Sequence, residues 1–389
     1  MAQNRLISKI NFKNPWIFFI STGLLFLLFL GKGRIFTLLG NCWNRLHPDC
    51  WSRWDSGLYL EIADKGHTLF LCPDFPGAWC GTSGWAPLYP FIIRLFHGLF
   101  PGLSFAEWGM YLSNGFWWAS LYWLYRLIRK SNWSNSLILA AFGLYLFMPG
   151  NVYFHAIFPI SLLGFFFLGM LVYLQESQFW KAGIFGFFAT LSYSIGFFLI
   201  PALAFWMVEN QIRRGGWKFE RKLLLPQLPV LVLTALGMTT WFVYDYWATG
   251  HWNALFLIQS KYGHRIDLPF RMLARHFEIM LNSKTPWEFA EELQNYFVWF
   301  LVIYSVVHLY KIRHSQPFWS LYSALLLMFW WIPYSGTEVS ALYRQMAVLF
   351  PLFLMLFQTF PAKSRWIFLS IMILFTFPLG YLFIISVLV

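Results

Sequence analysis

Long apolar segments, separated by short polar loops, constrain the fold of this chain more than any other feature. The first segment stays apolar from Pro15 to Leu30, and comparable segments recur up to the C-terminus. A membrane-spanning helix needs about 20 mostly apolar residues, a length that many of these segments approach. Only 11% of the residues are charged, whereas a soluble domain carries about 25%. The sequence therefore predicts an all-α integral membrane protein, a polytopic transmembrane helical bundle in a single domain, residues 1–389.

Basic residues predict the side of the membrane on which each loop lies, because Lys and Arg concentrate in short cytoplasmic loops. Three basic residues precede the first helix, and five more cluster at 213–222. With the N-terminus in the cytoplasm, we predict about 11 spanning helices. Two large loops, 31–105 and 248–292, then face the outside. This topology and anionic lipid headgroups account for the net charge of +12, so nucleic acid is not an expected partner.

Three local features refine this topology. Residues 85–97 are apolar but short and contain prolines, which predicts an interfacial helix in the first outer loop rather than a span. Lys32 and Arg34 are expected to mark the outer end of the first helix, where long side chains can reach the headgroups. Residues 182–208 are too long for one crossing with both ends inside, so we predict a helix break at Ser192–Gly196.

All the cysteines lie in the first outer loop: Cys42, Cys50, Cys72 and Cys80. An even number confined to one loop suggests two disulfides in an oxidising compartment. The equal spacing favours two local bridges, Cys42–Cys50 and Cys72–Cys80. A zinc site is an alternative, although the spacing is not C-x2-C, and free thiols are another.

A polar stretch after the first apolar segment, residues 51–67, carries acids at a membrane surface. Its pattern predicts a short helix with Ser52 as the N-cap, Asp55 as its capping partner three residues later, and Gly66 at the end. Asp55 and Tyr59 would share one face of this helix. A carboxylate held there can serve as a catalytic base. The simpler alternative is that Asp55 only caps the helix.

The two outer loops bring opposite charges to the same face of the membrane. The first supplies acids such as Asp55, and the second supplies bases, Lys261, His264 and Arg265. An acid can deprotonate a hydroxyl, and cations can hold a phosphate. Together they predict group transfer from a phosphate-bearing lipid to a hydroxyl. The alternative for each of these bases is a solvated surface position.

Several motifs, in the same order along the chain, resemble the PIG-V family. Residues 53–67, RWDSGLYLEIADKGH, and 86–90, APLYP, are similar to its R-W-D-x-x-x-Y-x-x-I-A-x-x-G-Y and F-P-L-Y-P elements, with the closing Tyr and the first Phe replaced. Residues 249–263 resemble its T-G-D-P-x-x-F-x-x-x-Q-x-x-W-G stretch, and residues 341–351 resemble its late R-Y-x-x-x-x-F-P element. The family comprises the GPI mannosyltransferase II enzymes and their bacterial relatives, in the GT-C superfamily of glycosyltransferases.

The resemblance implies a GT-C fold with a catalytic acid in the first outer loop. It implies an inverting hexosyltransferase that moves a sugar, typically mannose, from a polyprenyl-phosphate donor to a hydroxyl of a glycan or glycolipid acceptor. Asp55 matches the acid, which makes it the general base. Arg344 matches the late motif's arginine, a ligand for the donor phosphate or, alternatively, a snorkelling arginine at a helix end. Arg53, Trp54 and Tyr59 of the first motif join the substrate-binding candidates.

The chain departs from the family pattern at two places. Phe158–Leu162 replaces a Y-x-E-S-L stretch and lacks its acid, and Tyr193 stands where the family has an arginine before a glycine. These changes fit a divergent enzyme with a different acceptor or sugar. The superfamily includes enzymes that use a divalent metal ion, but no cluster of metal-ligand residues stands out in this sequence, and no cofactor is assigned.

Two other classes of function stay open on the sequence alone. A transporter or flippase for lipid-linked sugars would need charges in mid-helix positions and internal repeats. Few such charges and no clear repeat are found, and Asp245 lies near a helix end. A non-catalytic membrane subunit is the other class. Short loops favour the bacterial plasma membrane over the ER membrane, with the active site on the extracytoplasmic face.

Overall fold

The computed structural model describes residues 14–40, 42, 47–130, 133–148, 150–216, 220–261, 267–334, 344, 347–349, 352–353, 357 and 359–386. Within these ranges the chain is almost entirely helical, and its sheet is a single short antiparallel hairpin. The helices pack around a core of large side chains, among which Trp117 and Trp241 are fully buried.

Fourteen of the described helices position the site and are named here in chain order. The first seven are α1 (Pro15–Leu39), α2 (Ser56–Lys65), α3 (Leu88–Leu99), α4 (Phe105–Lys130), α5 (Asn135–Phe147), α6 (Ile160–Gln175) and α7 (Phe179–Ser192). They are followed by α8 (Leu199–Gly215), α9 (Leu228–Thr249), α10 (Ala254–Lys261), α11 (Pro269–Leu281), α12 (Pro286–Lys311), α13 (Trp319–Tyr334) and α14 (Ala362–Ile384). Between α2 and α3, strands β1 (Leu69–Leu71) and β2 (Trp79–Gly81) pair with Leu69 opposite Gly81.

Four helical stretches among the described residues are long and apolar enough to cross a membrane: Pro15–Leu39, Ser194–Gly215, Arg221–Thr249 and Ala362–Ile384. Shorter apolar helices include α5 and α6. The prediction of an all-α membrane protein is therefore confirmed at this coarser level. The number of crossings, the sidedness of the loops and the GT-C fold stay predictions.

The predicted helix break is confirmed. α7 ends at Ser192, Tyr193 has an extended backbone, and a 3-10 segment, Ser194–Phe198, leads into α8. At Gly196 a Cβ atom would lie 2.5 Å from the carbonyl oxygen of Ala189 in α7. The break therefore brings two backbone segments so close that only glycine fits between them.

The two predicted disulfides, Cys42–Cys50 and Cys72–Cys80, are present. The second joins the residue after β1 to the middle of β2, so it fastens the hairpin across its two strands. The first loop is thus covalently closed at two places, on either side of α2.

α2 begins later than the sequence pattern predicts, and Ser52 does not cap it. The helix begins at Ser56, whose Oγ accepts a hydrogen bond from the backbone N–H of Arg53 at 3.1 Å. The physical reason is a turn at Trp54, whose φ of 51° is left-handed and interrupts the helical path. At the other end, Gly66 stops the helix with a φ of 88°, as predicted.

Arg94 of α3 completes the C-terminal end of α2. Its Nε donates a hydrogen bond to the carbonyl oxygen of Ala63 at 2.6 Å, and its Nη2 donates one to that of Asp64 at 2.8 Å. The last carbonyls of a helix lack intrahelical partners, and a cation there also offsets the negative end of the helix dipole. α3 therefore holds α2 in place.

Lys32 does not lie at the outer end of the first helix, contrary to the prediction. α1 continues to Leu39, and Lys32 is 3% exposed. Its Nζ donates a hydrogen bond to the carbonyl oxygen of Leu146 at 2.7 Å and lies near the rings of Phe29 and Phe36. The amine stays inside the protein because it satisfies a carbonyl at the end of α5 and faces two aromatic rings.

Replacing Gly196 by alanine is expected to lower the free energy of unfolding by about 1–3 kcal/mol, because the new methyl group overlaps the Ala189 carbonyl. Gly115→Ala in α4 is the matched control, since a Cβ there meets no atom within 4 Å. It should be neutral or slightly stabilising. Denaturant unfolding of both purified variants in one detergent tests this, and equal stabilities would contradict the tight contact at the break.

Candidate functional site

An ion pair between Asp55 and Arg344 joins the first loop to the C-terminal third of the chain. Arg344 Nη1 donates to Asp55 Oδ2 at 2.8 Å, across a sequence separation of 289. The Arg344 side chain is 10% exposed and that of Asp55 is 30% exposed. Because the cation is buried while the carboxylate is partly open, a ligand can approach the pair from the side of Asp55.

The backbone before α2 directs the Asp55 side chain toward Arg344. Asp55 occupies the N-cap position, but its side chain makes no capping hydrogen bond. The left-handed turn at Trp54 precedes it directly. Such a conformation in a non-glycine residue costs of order 1–3 kcal/mol and is found most often at functional sites. If Asp55 were only a helix cap, its side chain would accept a hydrogen bond from the first turn of α2, and it accepts none.

Aromatic rings surround the Arg344 guanidinium. Its central carbon lies 5.2 Å from the ring centroid of Phe158 and 5.9 Å from that of Tyr153. Tyr59, in turn, packs edge-on against Phe158, with 6.0 Å between centroids. Ring faces attract cations, so this arrangement stabilises a buried guanidinium beside a single carboxylate. Sequence reasoning missed Tyr153, for which no motif gave a signal.

Two polar groups at the pair have no hydrogen-bond partner within the described ranges: the hydroxyl of Tyr59 and Nε of Arg344, both buried. Burial, and then the neighbouring Tyr193 and Asp55, raise the pKa of the Tyr59 hydroxyl well above its ordinary value. Tyr59 is therefore a neutral O–H donor. Buried donors normally have acceptors, so a ligand oxygen is the expected partner.

The helix break brings Tyr193 to the same place. Tyr193 is buried and interacts electrostatically with both Arg344 and Asp55. The stretch that departs from the resembled Y-x-E-S-L motif begins at Phe158, whose ring lies 5.2 Å from the Arg344 guanidinium carbon, whereas the position of the missing acid is Ile160.

The other substrate-binding candidates lie elsewhere or outside the described residues. Lys261 Nζ contacts Cys80 Sγ at 3.2 Å and lies 5.4 Å from the ring of Phe75, which places it on the hairpin. Arg53 Nε donates to the carbonyl oxygen of Ile384 at 3.1 Å, at the end of α14. Trp54 is exposed beside Asp55. His264 and Arg265 fall outside the described residues.

A buried pair fixes the loop that follows α2. His67 Nδ1 lies 2.6 Å from Asp245 Oδ1 of α9, and both side chains are fully buried. The His67 ring also stands against the edge of Tyr244. His67 replaces the closing tyrosine of the family motif, and in this chain it has a partner of its own.

An apolar cavity of about 230 Å³ lies between α2, α3, α7 and α9. Ile62, Leu88, Phe91 and Leu191 are among its lining residues. Ile62 lies about 10 Å along α2 from Asp55, at 1.5 Å per residue. In the part of the chain that is described, no group of three His, Cys, Asp or Glu side chains could hold a metal ion.

The ion pair is expected to couple energetically, so the effects of Asp55→Asn and Arg344→Gln on stability should not add. Each single change leaves one buried or half-buried charge without its opposite charge. The double variant removes both, and the coupling free energy should be about 1–3 kcal/mol. Denaturant unfolding of the single and double variants measures it, and additive effects would contradict a direct interaction.

Comparison with known proteins finds no matching family model, no matching curated protein and no matching solved structure. The resemblance to the PIG-V family therefore stays a prediction from the motifs around residues 53–67. The functional argument rests on Asp55, Arg344 and the side chains around them.

Proposed function

We propose that the protein is a membrane glycosyltransferase. It transfers a hexose, typically mannose, from a polyprenyl-phosphate-linked donor to a hydroxyl of a glycan or glycolipid acceptor at the extracytoplasmic face. The observation that carries the proposal is the pairing of Asp55 with Arg344. It brings together the acid of the first motif and the arginine of the last, as the family resemblance requires of a shared site.

Asp55 acts as the general base in this proposal. Its carboxylate takes the proton from the acceptor hydroxyl, and the oxygen attacks the anomeric carbon of the donor sugar. The bond from that carbon to the phosphate oxygen breaks, and the electron pair leaves with the polyprenyl phosphate. The configuration at the anomeric carbon is inverted because the new bond forms opposite the breaking one. Arg344 Nη1 donates a hydrogen bond to Asp55 Oδ2 at 2.8 Å and so holds the carboxylate in place for this step.

Arg344 can hold the donor phosphate without releasing Asp55. A guanidinium has five N–H donors in a fixed fork, of which Nη1 is on Asp55 and Nε has no partner within the described residues. The Tyr59 hydroxyl also lacks a partner within the described residues, and the Tyr59 ring packs edge-on against Phe158, whose ring lies 5.2 Å from the guanidinium carbon. Charge-assisted hydrogen bonds from a guanidinium to a phosphate stabilise the charge that develops on the leaving group.

The apolar cavity supports a lipid-linked donor. It begins near Ile62 on α2, the helix that carries Asp55 at its start, and is bordered by Leu88 and Phe91 of α3. A polyprenyl chain needs apolar surface close to the phosphate site, and transfer of its carbons from water is favourable.

Asp55→Asn is expected to reduce sugar transfer by about 100- to 10,000-fold, the usual contribution of a general base. Asp64→Asn is the matched control, because Asp64 is exposed on the same helix and should leave the rate unchanged. Purified protein in nanodiscs is given labelled polyprenyl-phosphate mannose and a membrane extract as the acceptor.

Equal sugar transfer by Asp55→Asn and wild type would contradict the assignment of Asp55 as the general base. Movement of the labelled lipid between leaflets without transfer would favour the transporter or flippase alternative. If a panel of lipid-linked sugars shows neither transfer nor movement between leaflets, the non-catalytic subunit is favoured.

Arg344→Gln is expected to raise the KM for the lipid-linked donor by about 10- to 100-fold, through loss of a charge-assisted hydrogen bond. The KM for the acceptor should change little. Lys261→Gln serves as the comparison, because its contacts to Cys80 and Phe75 place it on the hairpin and predict an unchanged donor KM. If Lys261→Gln raises the KM for the donor more than Arg344→Gln does, the phosphate site belongs to the second loop instead.

A further inference from the structure

An apolar stripe on α11 is left uncovered by the described part of the chain. Phe270, Phe277 and Leu281 recur at helical spacing on one face and are 80%, 48% and 66% exposed. Met272 and His276, on another face, are buried against α12. α11 therefore has two faces that avoid water, whereas the surface helix of a soluble protein has one.

α11 is fixed along α12 rather than loosely attached. His276 Nδ1 lies 2.6 Å from Glu292 Oε2, and the Tyr296 hydroxyl donates to the carbonyl oxygen of Leu273 at 2.8 Å. The ring of Phe277 stands edge-on to that of Tyr296. The position of the stripe is thus set by α12.

α12 continues from the stripe into an apolar segment, of which Val298–Lys311 is described. Val298 lies about 9 Å beyond Glu292 at 1.5 Å per residue. The headgroup region on each side of a bilayer is about 5–8 Å thick. Phe289, Leu293 and Phe300 are exposed along α12 and extend the apolar surface from α11 toward that part.

We propose that α11 lies in the membrane interface and binds phospholipid. Phe270, Phe277 and Leu281 enter the acyl region of the adjacent leaflet, while Arg271 and Lys284 meet the lipid phosphates. Both basic side chains are exposed, and cations beside an apolar stripe favour anionic headgroups. This inference does not depend on the proposed catalysis.

A nitroxide label at single introduced cysteines measures the depth of α11. Phe277→Cys and Leu281→Cys report on the stripe, and Glu278→Cys, its exposed neighbour around the helix, is the matched control. The native cysteines are all in disulfides, so only the new thiol reacts. The labelled proteins are placed in nanodiscs of phosphatidylcholine with phosphatidylglycerol, and collisions with oxygen and with a water-soluble nickel complex are compared.

The ratio of oxygen to nickel collisions is expected to be severalfold higher at positions 277 and 281 than at 278. Discs of phosphatidylcholine alone should lower the ratio at 277, and Arg271→Gln should remove that difference. Equal ratios at all three positions would overturn the proposal, since the stripe would then face water. Shielding from both reagents, with dipolar broadening between labels, would overturn it in favour of a second copy of the chain.

Discussion

The ion pair between Asp55 and Arg344 is the interaction on which the candidate site depends. A buried guanidinium costs several kcal/mol unless it is paired, and Arg344 is only 10% exposed. The carboxylate of Asp55 supplies the opposite charge, and the rings of Tyr153 and Phe158 lie beside the cation. The left-handed turn at Trp54 makes the carboxylate available, because it starts α2 without using the Asp55 side chain as a cap. Backbone strain, aromatic packing and charge therefore act at a single place in the fold.

Aromatic side chains lie around this pair. The ring centroid of Phe158 lies 5.2 Å from the central carbon of the Arg344 guanidinium, and that of Tyr153 lies 5.9 Å away. Tyr193, beside the helix break, is buried and interacts electrostatically with both members of the pair.

Sequence patterns were sufficient for the features that depend on local chemistry. Apolar length predicted an all-α membrane protein, and four described helical stretches are long and apolar enough to cross a membrane. Cysteine spacing predicted both disulfides, and the Ser192–Gly196 stretch predicted the break. The predicted start of α2 was wrong because no local sequence pattern indicates a left-handed conformation at Trp54. The predicted position of Lys32 was wrong because its partners, such as Leu146, are distant in sequence. The pairing of Asp55 with Arg344 was not predicted. The family resemblance named each residue as a site candidate, but spacing along the chain carries no information about a contact over 289 positions.

Arg53 and Asp55 both bind residues near the C-terminal end of the chain, which has a consequence for how the protein is made. Arg53 binds the backbone at Ile384, and Asp55 binds Arg344. At a synthesis rate of about 5–20 residues per second, Asp55 leaves the ribosome roughly 15–60 s before its partner does. The first loop therefore exists for much of translation without the contacts that complete it, and the Cys42–Cys50 and Cys72–Cys80 bridges are the restraints that can already hold it. A nascent chain that stops short of residue 344 therefore has an Asp55 without its partner in the ion pair, and its first loop depends on the two disulfides alone for long-lived restraints.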